Sequence, residues 1–547
     1  MKPFSHNYFI GYINEVTPQY VKVHFPSSNL LHTFHHEGVN FAGGNVGNFI
    51  VIEGEEYGFL ARITELNLPD SERKEINEKA ILEDSTIFHP SGKAELLLTF
   101  SIFDPDKTQK TVTQYPHIGA KVYACSDEQI AKYIKEFGNK DGNNTIYAPI
   151  GKLTSNNATC NVSLDSLFGR HCAVVGTTGG GKSWTVAKLI EQVVQYTNNK
   201  VILIDATGEY AGINAQHCIM GNDAYFSFKE LTNSEFCFLF REHSPNTSNA
   251  LCEAINTLKL IHLNQMDDGI KNGKNVTEIN KIISDNICNL SGCEFDIKQL
   301  PIQIKNECVK QGSKGIYEED NFKLGYCSHL ISRVNIFLQN PTIQNVLGID
   351  DSSQYHNEIN EEIRNYVTNS RFQILRIGFE KLSYDLAIRE IIVDFISSNL
   401  LKMSRDGKFK KTPIILFIDE AHQFLNKRIS ADDDSSFYLQ NIEFIAKEAR
   451  KYGLFLCLST QMPRDIPIGI LSQMGTFIVH RLINDLDKKA IENAASSANR
   501  SVLSFLPILG EGEALLIGVD FPMPLMLKID EPQRKPNSNT PRLLKVE

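Results

Sequence analysis

The chain lacks the marks of a membrane protein, a secreted disulfide scaffold and a free nucleic-acid binder. No run of 18 apolar residues occurs among its 547 residues, so no transmembrane helix is expected. The opening MKPFSHNYFIGYINEV has no apolar core of a signal peptide. Eleven cysteines are scattered without a CxxC pair, Cys288 and Cys293 being the closest two. That pattern fits reduced thiols in a cytoplasmic protein better than a disulfide frame or a zinc site. His32, His35 and His36 lie close together, but no Cys or acidic pair with ligand spacing accompanies them, and no metal site is expected there. Positive charge is in deficit: the formal net charge is -10, with a pI near 5.9. Any contact with nucleic acid must therefore use a local basic patch or the lining of a channel. There is one tryptophan, Trp184.

What is present is an ordinary globular balance, 42% hydrophobic and 22% charged, on a chain long enough for roughly two to four domains. Residues 1–155 read as β structure. Val21, Val23 and Phe25 alternate with polar residues. Leu96, Leu98, Phe100 and Ile102 do the same, broken only by Leu97. Glycine turns between short strands predict a small β-barrel, with 71–83 as a charged helical interruption. From about 165 strands alternate with helices, which predicts a mostly parallel sheet covered on both faces. Val186, Leu189, Ile190, Val193 and Val194 form one helical stripe. Strands are expected at 201–204, 372–377, 414–418, 454–458, 476–479 and 514–517. Helices are expected at 386–401 and 437–451, the latter with an inner stripe of Tyr438, Ile442, Ile445 and Ala449. The expected organisation is a barrel domain at 1–155, an α/β RecA-like core at 156–230 and 366–530, a helical insertion at 231–365 and an extended arm at 531–547.

Gly176-Thr177-Thr178-Gly179-Gly180-Gly181-Lys182-Ser183 is a full GxxxxGK[ST] match between an apolar strand and an amphipathic helix. Glycines let successive N–H groups turn toward phosphate oxygens, and the helix N-terminus adds its positive dipole end. Lys182 is expected to reach the β- and γ-phosphates of ATP, and Ser183 to ligate Mg2+. The apolar strand 414–418 then carries Asp419 and Glu420. A carboxylate pair at that edge suits a hydrolysing NTPase, Asp419 for the metal and Glu420 for the attacking water. The competing reading of the pair is a helix N-cap followed by a first-turn acid. Trp184 is read as a packing residue.

Several further segments accompany these: Leu167-Phe168-Gly169-Arg170-His171, Ile204-Asp205-Ala206-Thr207-Gly208-Glu209-Tyr210, Asp419-Glu420-Ala421-His422-Gln423-Phe424, Ala446 to Gly453, Ser459-Thr460-Gln461 and Gly512-Glu513-Ala514. As an ordered set they resemble the HerA family of hexameric P-loop ATPases, related to the FtsK-type DNA pumps, over nearly the whole chain. The resemblance implies a homo-hexamer of RecA-like cores with ATP between subunits and translocation on double-stranded DNA. It also implies a nuclease or sirtuin-like effector docked on the barrel face, in anti-phage defence or DNA end processing. By position it makes Arg450 a trans-acting arginine and Gln461 a polar sensor, Arg170 and Arg481 interface or phosphate arginines, and Asp205 and Glu209 residues near the nucleotide. Their plainer alternatives are a solvated helix face for Arg450, a strand-end hydrogen bonder for Gln461 and turn capping for Asp205. An acidic loop, Ala431-Asp432-Asp433-Asp434, would repel DNA if it faced a pore. The main alternative function is an ATPase scaffold that switches an effector with little translocation. A small-molecule P-loop enzyme is weaker, since no lid or acceptor motif is visible.

Overall fold

The computed structural model describes residues 4–538, apart from 42, 70–87, 104–107, 110–113, 127, 131–144, 155–158, 243, 287, 289, 291, 350–356, 383–386, 426–428, 431–435, 438–439, 496–499 and 522. The expected interruption at 71–83, the acidic loop at 431–434 and the last residues of the arm lie outside the described residues. The chain forms two compact units: Met1–Asn199 with Thr412–Phe417 and Ala446–Glu547, and Lys200–Lys411 with Ile418–Ile445.

Six of the strands that open the first unit build its barrel: β1 (Phe9–Val16), β2 (Val21–His24), β3 (Phe49–Glu53), β4 (Tyr57–Asn67), β5 (Ser91–Ser101) and β6 (Lys121–Ala124), with a two-residue strand, Thr108–Gln109, paired to β5. Their order is β2-β1-β6-β3-β4-β5, and β5 returns to pair with β2, from Val21↔Ala94 to His24↔Ser91. The sheet thus closes into the expected barrel, and closure satisfies the edges that an open sheet would leave unpaired. Val21, Val23, Phe25, Ile50, Ile52, Phe59 and Ile63 fill the interior. Leu97, which interrupts the alternation of its strand, falls where the register shifts: Leu60 pairs with Leu98 and Ala61 with Leu96. A bulge inserts one extra residue into the strand, so the period of two breaks there without a change of element.

Beyond the barrel the main elements are β7 (Tyr147–Leu153), β8 (Thr159–Ser163), β9 (Cys172–Val175), α1 (Lys182–Tyr196), β10 (Lys200–Asp205) and β11 (Gln216–Ile219). Helices follow: α2 (Asn233–Leu239), α3 (Pro245–His262), α4 (Val276–Asn286), α5 (Leu300–Asn306), α6 (Asn321–Gln339), α7 (Pro341–Leu347) and α8 (Ile359–Asn369). Then come β12 (Ile374–Gly378), α9 (Ile388–Arg405), β13 (Ile414–Ile418), α10 (His422–Leu425) and α11 (Asn441–Glu448). The last strands are β14 (Leu454–Thr460), β15 (Thr476–Val479), β16 (Glu513–Gly518) and β17 (Leu525–Ile529).

In the first unit the strand order is β8-β7-β17-β16-β15-β9-β14-β13. β9 lies between two parallel neighbours in one register, Cys172 opposite Cys457 and Thr476, Val175 opposite Thr460 and Val479. All four of its side chains are buried, which is why this segment reads as a plain apolar run rather than an alternation. The α1 stripe Val186, Leu189, Ile190 and Val193 is buried as its spacing requires. In the second unit β10, β12 and β11 run parallel.

The expected helix at 437–451 is shorter in the structure. It ends at Glu448, and a 3-10 turn, Ala449–Tyr452, carries Arg450 to Gly453 at φ +85°. A residue in that left-handed conformation stops a helix, and glycine adopts it without steric cost. Ile442, Ile445 and Ala449 are buried as expected, and Tyr438 lies outside the described residues. Strand 372–377 begins later, at Ile374, leaving Phe372 43% exposed.

Candidate nucleotide-binding site

In the first unit the phosphate loop leaves the C-terminal end of β9 and enters α1. Gly179 (φ +75°) and Gly181 (φ +109°) take left-handed conformations, which bulkier residues adopt only under strain. Gly176 is required by space: a Cβ there would sit 2.5 Å from the His480 Cβ. The Thr177 N–H donates to the Arg481 carbonyl (3.0 Å) and the Gly512 N–H to the Gly180 carbonyl (3.2 Å). α1 begins at Lys182 with a glycine cap that offers no side-chain hydrogen bond. Its first N–H groups are therefore uncapped by the protein's own side chains, the condition under which a helix start receives an anion.

Lys182 is 6% exposed. Its Nζ lies 3.5 Å from the Thr177 carbonyl, a contact at the limit of hydrogen bonding. A buried ammonium with one weak partner fits a polyphosphate that supplies the rest of its coordination. Ser183 follows, half-buried at the start of the helix. The donor set, backbone N–H groups with an ammonium and a hydroxyl, matches a nucleotide phosphate tail with its cation. Thr178 donates to the Gln461 Oε1 at 2.6 Å, so the tertiary structure brings Gln461, just beyond β14, to the loop. Trp184 is half-buried, with the Lys535 ammonium 5.0 Å from its ring centroid.

The arginines divide. Arg481, beside the loop, gives it a backbone carbonyl while its side chain is exposed. Arg170 and Arg450 stand at the opposite, N-terminal edge of the same strands, before β9 and β14. They line one cavity of about 260 Å³ with Gly475 and Val519. Arg170 is held there by Asp520, Nε to Oδ2 3.1 Å, and Arg450 is exposed.

In the second unit Asp419 and Glu420 follow the last residue of β13. Asp419 is 3% exposed, and its N–H donates to the Ile204 carbonyl at 3.0 Å. Glu420 has φ +46°, a conformation costing a non-glycine residue on the order of 1–3 kcal/mol and concentrated at functional sites. Its Oε2 lies 3.3 Å from the His422 Nδ1. Asp205 turns out to organise its own loop. Its Oδ1 accepts from the Gly208 N–H (2.8 Å) and its Oδ2 from the Tyr210 N–H (3.1 Å). The same Oδ2 accepts from the buried Arg376 Nε at 2.7 Å, and Arg376 also reaches Glu380 at 2.8 Å. Turn capping, the plainer of the two readings, is what these contacts describe.

The roles of two histidines escape a reading of the sequence. His480 lies under the phosphate loop, and His171, at φ +62°, immediately precedes β9. The His171 Nδ1 accepts from the Leu456 N–H (3.0 Å), so its Nε2–H faces the Ala446 carbonyl (3.1 Å). Burial pushes both rings down to about 4, with Arg450 adding to the effect at His171 and Lys182 at His480. His171 stands in the Leu167–His171 segment of the sequence reading but with no role assigned to it, and the trace of His480 is that it borders a short apolar strand.

Residues 148–401 match the family model described as Helicase HerA, central domain, and 387–527 the model described as Helicase HerA-like C-terminal. The DNA double-strand break repair helicase HerA of Sulfurisphaera tokodaii is 25% identical over 441 residues, covering 78% of this chain and 76% of that protein. Its Pyrococcus furiosus counterpart is 25% identical over 427 residues, covering 75% and 73%. Among solved structures, VirB4 of Thermoanaerobacter pseudethanolicus aligns at 14% identity with a TM-score of 0.45, covering 72% of this chain and 97% of that one. With both HerA models matched in order across the phosphate loop, the carboxylate pair and the late strands, the chain belongs to the HerA helicase family of P-loop ATPases.

Proposed function

We propose that the protein is an ATP-hydrolysing ring motor acting on double-stranded DNA, its nucleotide sites completed by neighbouring subunits. The observation that carries this reading is the opposition of two edges within one sheet. β9, β14 and β15 are parallel. The phosphate loop, Gln461 and Arg481 follow their C-terminal ends, whereas Arg170 and Arg450 precede their N-terminal ends. At about 3.3 Å per residue, strands of this length separate the edges by roughly 13–23 Å. Arg450 is therefore too far from its own phosphate loop to serve as an arginine finger, and serves one only across a subunit boundary. Ile483, Leu486 and Ile508, each more than 60% exposed, lie near the loop edge and suit a surface covered by a second copy.

By motif position, Lys182 and the loop N–H groups hold the phosphates, while Ser183 and Asp419 are assigned to Mg2+, which neutralises charge on the phosphates when bound. Glu420 orients the attacking water and Gln461 senses the phosphate through Thr178. Six subunits, a nuclease or sirtuin-like effector on the barrel and a role in anti-phage defence or end processing rest on the resemblance alone.

The test mixes two inactive proteins, Lys182→Ala and Arg450→Ala. In mixed rings some interfaces pair an intact loop with an intact arginine, so part of the ATP turnover should return, with subunit exchange verified by native mass spectrometry. Mixed rings that form and stay inert would count against the shared site, and a fully active monomer would end it.

A further inference from the structure

His480 joins three elements around the phosphate loop. Its N–H donates to the Val175 carbonyl at 2.7 Å, continuing the β9–β15 pairing to the strand ends. Its Nδ1 lies 2.8 Å from the Glu513 carbonyl. A carbonyl only accepts, so Nδ1 carries the proton and Nε2 is the acceptor. At Nε2 the ring meets the Thr185 hydroxyl at 2.8 Å, on the first turn of α1. The ring also sets the space above it: a Cβ on Gly181 would stand 3.3 Å from the His480 Cε1 and 3.1 Å from the Gly512 Cα. From Glu513 the connection returns to the loop. The Glu513 carboxylate accepts from the Gly510 N–H (2.8 Å), closing the turn. Gly512 donates to the Gly180 carbonyl and accepts from the Ile529 N–H (2.9 Å). Thr185, His480, Glu513, Gly512 and Gly180 thus form a closed circuit around the curl of the loop. His480 itself is fully buried.

We propose that His480 is a positioning residue for the phosphate loop, its neutral ring tying the first turn of α1 to the 510–513 turn so that the Gly179–Gly181 curl is formed before nucleotide arrives. This rests on reading 176–183 as the ATP site. Burial and the nearby Lys182 ammonium keep the ring neutral, as the acceptor role at Nε2 requires. The ring does not reach the phosphates; it acts through the backbone it holds. A loop populated less often in the receptive curl binds nucleotide more weakly in proportion to the lost population, while hydrolysis of what does bind proceeds as before.

The signature is therefore a rise in KM and in the Kd for a fluorescent ATP analogue, with kcat nearly unchanged. Thr185→Val removes one arm and keeps the shape of the side chain. His480→Asn keeps a donor near Nδ1 and loses the Thr185 arm. His480→Ala removes both. Each of the first two should raise KM severalfold and His480→Ala by about tenfold or more. Overall destabilisation would instead lower the active fraction, and with it kcat, leaving KM in place. Unchanged KM in folded Thr185→Val and His480→Asn, or a fall in kcat alone, overturns the proposal; if His480→Ala fails to fold, these two still decide it. Lys182→Ala is measured alongside. Should it retain turnover, the ATP-site reading fails; should it be inactive while the other variants keep wild-type KM, only the role of His480 fails.

Discussion

At the scale of single residues, the backbone of Glu420 separates chemistry from stability. A left-handed glutamate is retained against its conformational cost, which fits a side chain placed for a task. Glu420→Gln keeps the shape and removes the charge proposed to orient the attacking water. It should bind ATP with near wild-type affinity by isothermal titration and turn it over at least a hundredfold more slowly. Lost binding with preserved relative turnover would contradict that role. Asp205 makes the opposite case. Its carboxylate serves its own loop and Arg376, which is 1% exposed. Asp205→Ala removes the main partner of a buried guanidinium and the acceptor for the loop N–H groups. A stability loss of about 3 kcal/mol in chemical denaturation is expected, with the ATP affinity of the remaining folded protein little changed. A stable variant with weakened ATP binding would restore Asp205 to the nucleotide. The position of Asp205 after a strand is visible in the sequence; its partner, 171 residues away, is not.

At the scale of elements, the starts of β9 and β14 are pinned by a buried neutral imidazole. His171 accepts from Leu456 and donates to Ala446, just ahead of the turn that carries Arg450. A histidine held near 4 in the fold, against about 6.5 unfolded, binds fewer protons folded than unfolded between those values. Its contribution is therefore fully present above pH 6.5 and is lost as pH falls through 4, a span worth on the order of 3 kcal/mol. The same sign holds for His480. Thermal melts should accordingly show lower midpoints at pH 5 than at pH 7.5, with a smaller difference in His171→Asn. An equal pH dependence in that variant would show that other groups dominate. Among the elements, β9, α1 and β13 are legible because a buried strand is a short apolar run and an amphipathic helix repeats every 3.6 residues. The end of α11 at Glu448 is less legible: helical spacing runs on through Ala449, and Gly453 with the 3-10 turn decides the stop.

At the scale of the whole molecule, the proposed motor on duplex DNA must reconcile a net charge of -10 with a polyanion. A ring does so by concentrating its cations at the DNA path while acidic residues face elsewhere. ATP turnover should therefore rise with added duplex DNA, and the stimulation should fade steeply between about 50 and 200 mM salt as counterion release loses its driving force. Turnover indifferent to DNA at every salt, yet changed by a co-purifying partner, would favour the scaffold that switches an effector.

The sequence by itself determines the phosphate loop, the carboxylate pair after an apolar strand and the barrel's alternating strands, because each is written in residues close together in the chain, and it determines the family through the order of several such short segments. Only the tertiary structure decides that β5 returns to β2 to close the barrel. It alone decides that Asp205 serves Arg376, that His480 underlies the phosphate loop, and that Arg450 and the loop occupy opposite edges of one sheet. Those relations join residues tens to hundreds of positions apart. Local propensity and periodicity set the type of each element, but which strands become neighbours depends on long-range pairing that no short segment contains.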